Sequence, residues 1–173
     1  MKQVLSVLKA KKLIESGLDM SDASFFWIKR DTRLNDGNIV PGVYVLSLTK
    51  QIEASSDVSW EIIPTYTLSD LLDKLPETIE SDNHPEFSCM NGNTYYLNII
   101  KNPERREWMV SYNGYGYEGI EETIPYKIDD LGFREYEYFY SEDLLNAVYE
   151  MYLYLISNSY IFIEKTSNED SCK

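Results

Sequence analysis

Apolar residues recur at roughly helical spacing near the start of the chain. Val4, Leu5, Leu8, Leu13 and Ile14 are separated by lysines and polar residues, which predicts an N-terminal amphipathic helix. Gly17 is placed to end that helix in a left-handed cap, with Leu18 as the hydrophobic contact that follows. Strand-like patterns come next. Residues 24–30 (SFFWIKR) are rich in aromatic and β-branched side chains, residues 35–38 (NDGN) signal a turn, and residues 42–49 (GVYVLSLT) read as the partner strand. Residues 58–63 (VSWEII) alternate and predict a further strand, which Pro64 is expected to break.

Residues 67–75 (TLSDLLDKL) predict a short helix. Thr67 and Asp70 have the spacing of a capping box, Leu68, Leu71, Leu72 and Leu75 form the apolar face, and Pro76 is the stop signal. The polar residues 77–86 read as an exposed loop. Residues 87–90 and 94–100 flank the Asn91-Gly92-Asn93 turn and predict a hairpin. A turn at residues 102–105 and a strand over 107–112 extend it to a three-stranded meander. An irregular, acidic stretch over 120–133 holds an extended piece at 123–128, and residues 135–140 alternate glutamate with tyrosine as an edge strand. Ser141 is placed to cap the last and strongest helix. Its buried face is Leu144, Leu145, Val148, Tyr152, Leu155 and Ile156, and Glu142 and Asp143 oppose the positive end of its dipole. Residues 160–163 (YIFI) predict one terminal strand.

Hairpin-linked strands with segregated helices point to an α+β fold: an antiparallel sheet of hairpins and meander, packed with an N-terminal helix, a short central helix and a long C-terminal helix. At 173 residues, one domain over residues 1–165 is expected, followed by a mobile polar tail over 166–173. A chain of this length buries enough surface to need no disulfide or metal staple. Two cysteines, Cys89 and Cys172, make no disulfide framework, and neither has a neighbour at metal-ligand spacing. A reducing compartment follows. The apolar-rich run 144–156 is interrupted by Asn146 and Glu150 and is too short to span a bilayer. The four lysines in residues 1–12 are followed by no signal-peptide pattern, so the expected location is cytoplasmic.

Charge changes the picture more than composition does. The net charge is −13. Residues 1–18 carry +3 from four lysines and one glutamate, whereas residues 118–150 carry −8 from ten acids and two bases. Such a field repels phosphates, which argues against direct nucleic-acid binding, and it attracts a basic protein surface. Acidic residues also simply keep a small protein soluble. The 15 tyrosines have two readings as well, as sheet-face residues or as a binding surface.

No residues assemble a familiar chemistry. His84, the one histidine, precedes Pro85 in a polar loop with no nucleophile motif nearby. The glycines of residues 113–117 (NGYGY) lack the lysine and following helix of a phosphate loop. They read as a tight turn, or as a platform on which Tyr112, Tyr115 and Tyr117 stack a flat ligand or a peptide side chain. Neighbouring carboxylates such as Glu121 and Glu122, or Asp129 and Asp130, point to opposite faces of an extended chain. Residues 118–130 do not match a calcium loop. No catalytic residue, metal or cofactor is therefore expected. The candidate interaction surface is Tyr112, Tyr115, Tyr117, Glu118, Glu121, Glu122, Asp129, Asp130, Glu135 and Glu137. With Glu142 and Asp143, its acids could imitate a nucleic acid in the basic cleft of a partner.

Residues 63–76 (IPTYTLSDLLDKLP) and 141–158 (SEDLLNAVYEMYLYLISN), together with 108–112 (WMVSY), resemble small proteins encoded by phages and mobile elements of gut anaerobes. The resemblance covers core-forming patterns and carries over no functional residue. It implies an accessory protein, not a housekeeping enzyme. The expected function is a non-enzymatic protein–protein interaction module that uses its acidic surface on a basic partner. The alternatives are a binder of nucleotides or aromatic metabolites at the tyrosine-rich loop, and a hydrolase with a carboxylate site. A homo-oligomer is a further possibility, from the broad apolar face of the last helix.

Overall fold

The computed structural model describes residues 4–50, 57–80, 94–115, 121–124, 126–128, 134–136 and 139–161. The fold is α+β, with antiparallel sheets and three helices. The chain divides into two compact units between Asp70 and Leu71.

In the first unit, α1 spans Val7–Glu15. It starts later than the apolar spacing predicts. Ser6 is its N-cap and accepts from the Lys9 amide, while Val4 instead bridges to Thr67 and the Leu5 N–H donates to the Tyr66 carbonyl. Its buried residues are Ala10 and Leu13. Leu8, expected on that face, is 79% exposed. Gly17 ends the helix as predicted. At φ +90°, its N–H reaches the Ile14 carbonyl and the Leu18 N–H reaches Leu13, the paired bonds that satisfy the orphan carbonyls of a helix end.

A four-stranded antiparallel sheet follows, with β1 (Phe25–Arg33) in its centre. β4 (Val58–Thr65) pairs along one side of it, while β2 (Ile39–Val40) and β3 (Tyr44–Ser47) share the other. Pro64 does not break β4. It lies within the strand, opposite Phe26. Among the described residues β4 pairs only with β1, and an edge strand tolerates a residue that lacks an N–H. The turn at 35–38 forms as expected, with the Leu34 amide donating to the Asn38 carbonyl and Gly37 at φ +85°.

The division falls inside α2 (Leu68–Lys74). Its capping box is present. The Asp70 amide donates to Thr67 Oγ1 at 3.2 Å, and the Thr67 amide returns a bond to Asp70 Oδ2 at 2.7 Å. The two residues thus satisfy one another's orphan donors.

In the second unit, β5 (Thr78–Glu80) pairs with β6 (Thr94–Lys101). The sequence pattern placed residues 78–80 in a loop and gave β6 a partner at residues 87–90. Residues 87–93, with the Asn-Gly turn, lie outside the described residues. β6 pairs with β7 (Trp108–Tyr115), which also carries β8 (Glu121–Ile124) and β11 (Phe139–Ser141). β9 (Tyr126–Ile128) and β10 (Arg134–Tyr136) form a separate two-stranded sheet. The single edge strand expected over 135–140 is therefore divided between two sheets.

α3 (Leu144–Ser157) packs on β7 and β11. Its cap is Asp143, whose side chain accepts from the Leu145 amide at 3.1 Å. Ser141 ends β11 and accepts from the Asp143 amide instead. Eight of the fourteen α3 residues are buried, among them Ala147, Tyr149, Met151 and Leu153 beyond the expected face, so the apolar surface that suggested an oligomer there is covered. Tyr160 and Ile161 form no strand. Their amides return to the Leu155 carbonyl and finish the helix. Among the described residues, no helix is long and apolar enough to cross a membrane.

Candidate functional site

The pleat of the first unit's sheet sorts its residues into two faces. Tyr44 lies opposite Lys29, which lies opposite Glu61, and Trp27 lies between Leu46 and Ile63. This face meets the N-terminal segment and α1: Trp27 Nε1 donates to the Leu5 carbonyl at 2.8 Å, and Lys11 Nζ sits 2.7 Å from Glu61 Oε1. The Tyr44 hydroxyl donates to Glu61 Oε2 at 2.6 Å, and both Lys11 and Lys29 stand over the Tyr44 ring, 5.7 and 5.9 Å from its centre. The Lys11 bond holds the Glu61 carboxyl below its ordinary range, and the same bond raises the Lys11 ammonium. Asp31 is lowered first by the Gly42 amide and then by Lys29, 3.1 Å away. Each charge in this cluster has a partner of opposite sign, so the cluster is internally satisfied and its role is to tie α1 to the sheet.

On the other face lie Phe26, Ile28, Val45, Ile62 and Pro64, with the Arg30 guanidinium 5.6 Å above the Trp60 ring. The indole N–H of Trp60 is buried with no acceptor among the described residues. Phe26, Ile62 and Pro64 form the floor of a cleft of about 470 Å³, completed by Ile14, Leu18, Asp19, Met20, Ser21 and Lys50. Lys50 Nζ stands 5.0 Å over the Phe26 ring. The Asp19 carboxylate accepts from the Ser21 amide and hydroxyl at 2.8 and 3.1 Å, so the lining carries one anion and one cation, Asp19 and Lys50. A mostly apolar wall with these two opposite charges suits a flat organic molecule, and the volume lies in the range of small-ligand sites. A smaller cleft of about 160 Å³ is lined by Arg33, Ile39, Asp57, Val58 and Ser59. Each cleft contains one carboxylate, so neither supplies the facing pair that glycoside hydrolysis uses. Among the described residues, no group of three or more His, Cys, Asp or Glu side chains could hold a metal ion.

The tyrosine and acidic residues singled out from the sequence fall elsewhere. Tyr112 is fully buried in β7, and its hydroxyl donates to the Pro76 carbonyl at 2.7 Å. It offers no surface to a partner. Burial pushes its phenol above the ordinary range. Tyr115 also belongs to β7, not to a turn, and the backbone register sets it opposite Glu121, with Glu122 opposite Gly114. Glu135 lies in the other sheet, opposite Lys127. Tyr117, Glu118, Asp129, Asp130 and Glu137 lie outside the described residues, as do His84, Cys89 and Cys172.

The sequence reading missed two features of the first unit. The cleft joins residues up to fifty positions apart, and no local pattern announces it. The β2–β3 edge did leave a signal: no charged residue occurs between Asp36 and Lys50. The chain matches no protein-family model, no curated protein and no solved structure.

Proposed function

We propose that the protein is a non-enzymatic interaction module whose second unit draws in a basic protein partner. The unequal distribution of charge carries this reading. Residues 1–70 hold eight Lys and Arg against nine Asp and Glu, leaving −1, whereas residues 71–162 hold six against seventeen, leaving −11. Folding does not require that imbalance, and a field of one sign over one unit steers and orients a partner of the other sign. An accessory role in a phage or mobile element fits such a binder.

Capture from a cell lysate tests this. Partners retained at about 0.01 M salt should be basic and should be released towards about 1 M, where the screening length falls from about 30 Å to about 3 Å. Retention of acidic or salt-insensitive partners alone would count against the reading.

A second reading places a small aromatic ligand with an anionic group in the cleft over Phe26. The apolar lining and the Lys50 ammonium favour it. A thermal-shift panel of nucleotides and aromatic acids should contain a compound that raises Tm, and Lys50→Glu should abolish that rise. A flat response across the panel removes this reading.

A further inference from the structure

Two opposite charges line the cleft over Phe26 without pairing. Asp19 and Lys50 belong to the same lining, yet among the described residues neither forms an ion pair. Elsewhere beside this sheet such pairs do form: Lys11 lies 2.7 Å from Glu61, and Lys29 lies 3.1 Å from Asp31. Both groups at the cleft keep capacity for a ligand. Asp19 accepts only from Ser21, which leaves lone-pair sites on an ionised carboxylate. Lys50 stands over the Phe26 ring, a contact that uses its charge and not all of its donors.

From this we infer that the ligand of the cleft is a free aromatic amino acid, with its carboxylate at Lys50, its ammonium at Asp19 and its ring on the apolar floor. The inference rests on the reading that this cleft takes a small ligand, and it adds the ligand's class. Phe26 and Met20 are 5% and 3% exposed, so the floor they contribute to is held in place by the fold before a ligand arrives. The Phe26 ring offers an edge-to-face or offset partner to a second ring. An apolar floor gives a phenol no acceptor, which favours phenylalanine over tyrosine.

Net charge agrees with this class. A chain of −13 repels a simple anion, whereas a molecule that carries both groups has no net charge. The pairing also separates the free amino acid from a peptide end. The first residue of a peptide lacks the carboxylate and the last lacks the ammonium, so each meets only one of the two charges.

Isothermal titration calorimetry of the full chain tests the inference. L-phenylalanine should bind with a Kd of about 1 mM or below. N-acetyl-L-phenylalanine, which lacks the ammonium, and L-phenylalaninamide, which lacks the carboxylate, should each bind at least about 10-fold more weakly, the loss of one charge-assisted hydrogen bond. Glycine, which lacks the ring, should give no signal. Asp19→Asn, which keeps an acceptor for the Ser21 amide, should weaken phenylalanine and leave N-acetyl-L-phenylalanine unchanged. Lys50→Gln should weaken phenylalanine and leave the amide unchanged. Both positions are exposed, so circular dichroism and Tm of the variants should match wild type. If N-acetyl-L-phenylalanine binds as tightly as phenylalanine, or another aromatic compound binds while phenylalanine does not, the inference falls and the small-ligand reading stands. No signal from any compound at millimolar concentration removes both.

Discussion

Tyr112→Ala is expected to destabilise the second unit by about 4 kcal/mol, the cost of removing a large aromatic side chain from a closed core. The ring is fully buried in the central strand β7, and its neighbour in sequence, Ser111, is buried with it. Tyr112→Phe should cost only about 1 kcal/mol, the net worth of the hydrogen bond to the Pro76 carbonyl. The phenylalanine variant should bind any partner or ligand as wild type does, because the hydroxyl points into the protein. Urea unfolding followed by the fluorescence of Trp108, four residues away on the same strand, reads the first effect. A loss below about 1 kcal/mol for the alanine variant would show that the side chain is not part of a packed core.

Gly42→Ala is expected to cost the first unit about 3 kcal/mol, at the upper end of what overpacking usually costs. Thr32 pairs with Val40 and Lys29 with Tyr44. Between these pairs the chain advances three residues on β1 and four on its partner, so one extra residue forms a β-bulge at residues 41–43. Gly42 lies in that bulge with its amide donating to Asp31 Oδ1 at 2.8 Å. A Cβ there would fall 2.0 Å from the Arg30 carbonyl oxygen, and backbone cannot yield as a flexible side chain can. Restoring a regular ladder instead would shift β3 by one residue and turn Val43 and Val45 to the opposite face. The fluorescence of Trp27 and Trp60 during urea unfolding reports on this unit. A variant within about 0.5 kcal/mol of wild type would mean that the bulge is not under this constraint.

Features with local causes were legible in the sequence. The box of Thr67 and Asp70 forms because both partners lie within one turn, and Gly17 caps α1 because only the conformation of one residue is involved. The alternation in residues 94–100 identified a strand for the same reason, since the pleat acts on each residue in turn. Residues 78–80 were missed as a partner because pairing is a choice among distant segments. The Asn-Gly turn drew the reading to residues 87–90, which lie outside the described residues, whereas Thr78–Glu80, further back along the chain, pairs with β6.

The candidate site separates along the same line. Alternation says that Tyr112 shares a face with Val110 and Gly114, but not that α3 packs against their strand, so a core tyrosine was read as part of a surface platform. The cap of α3 moved from Ser141 to Asp143 because Ser141 is taken into β11 by pairing with Trp108, a contact that no helix-start rule contains. Pro64 was read as a break when its position on an edge strand makes it harmless.

By itself, the sequence determined the class of fold, the helices with their stop signals, the hairpin turn at Asn35–Asn38 and the unequal charge of the two halves. These depend on conformational preferences and counts that act over a few residues or need no geometry at all. Tertiary structure decided where the apolar cleft lies and which tyrosines are buried. Those outcomes depend on which face of each element finds a partner, and burial is a property of pairs of surfaces brought together from distant parts of the chain.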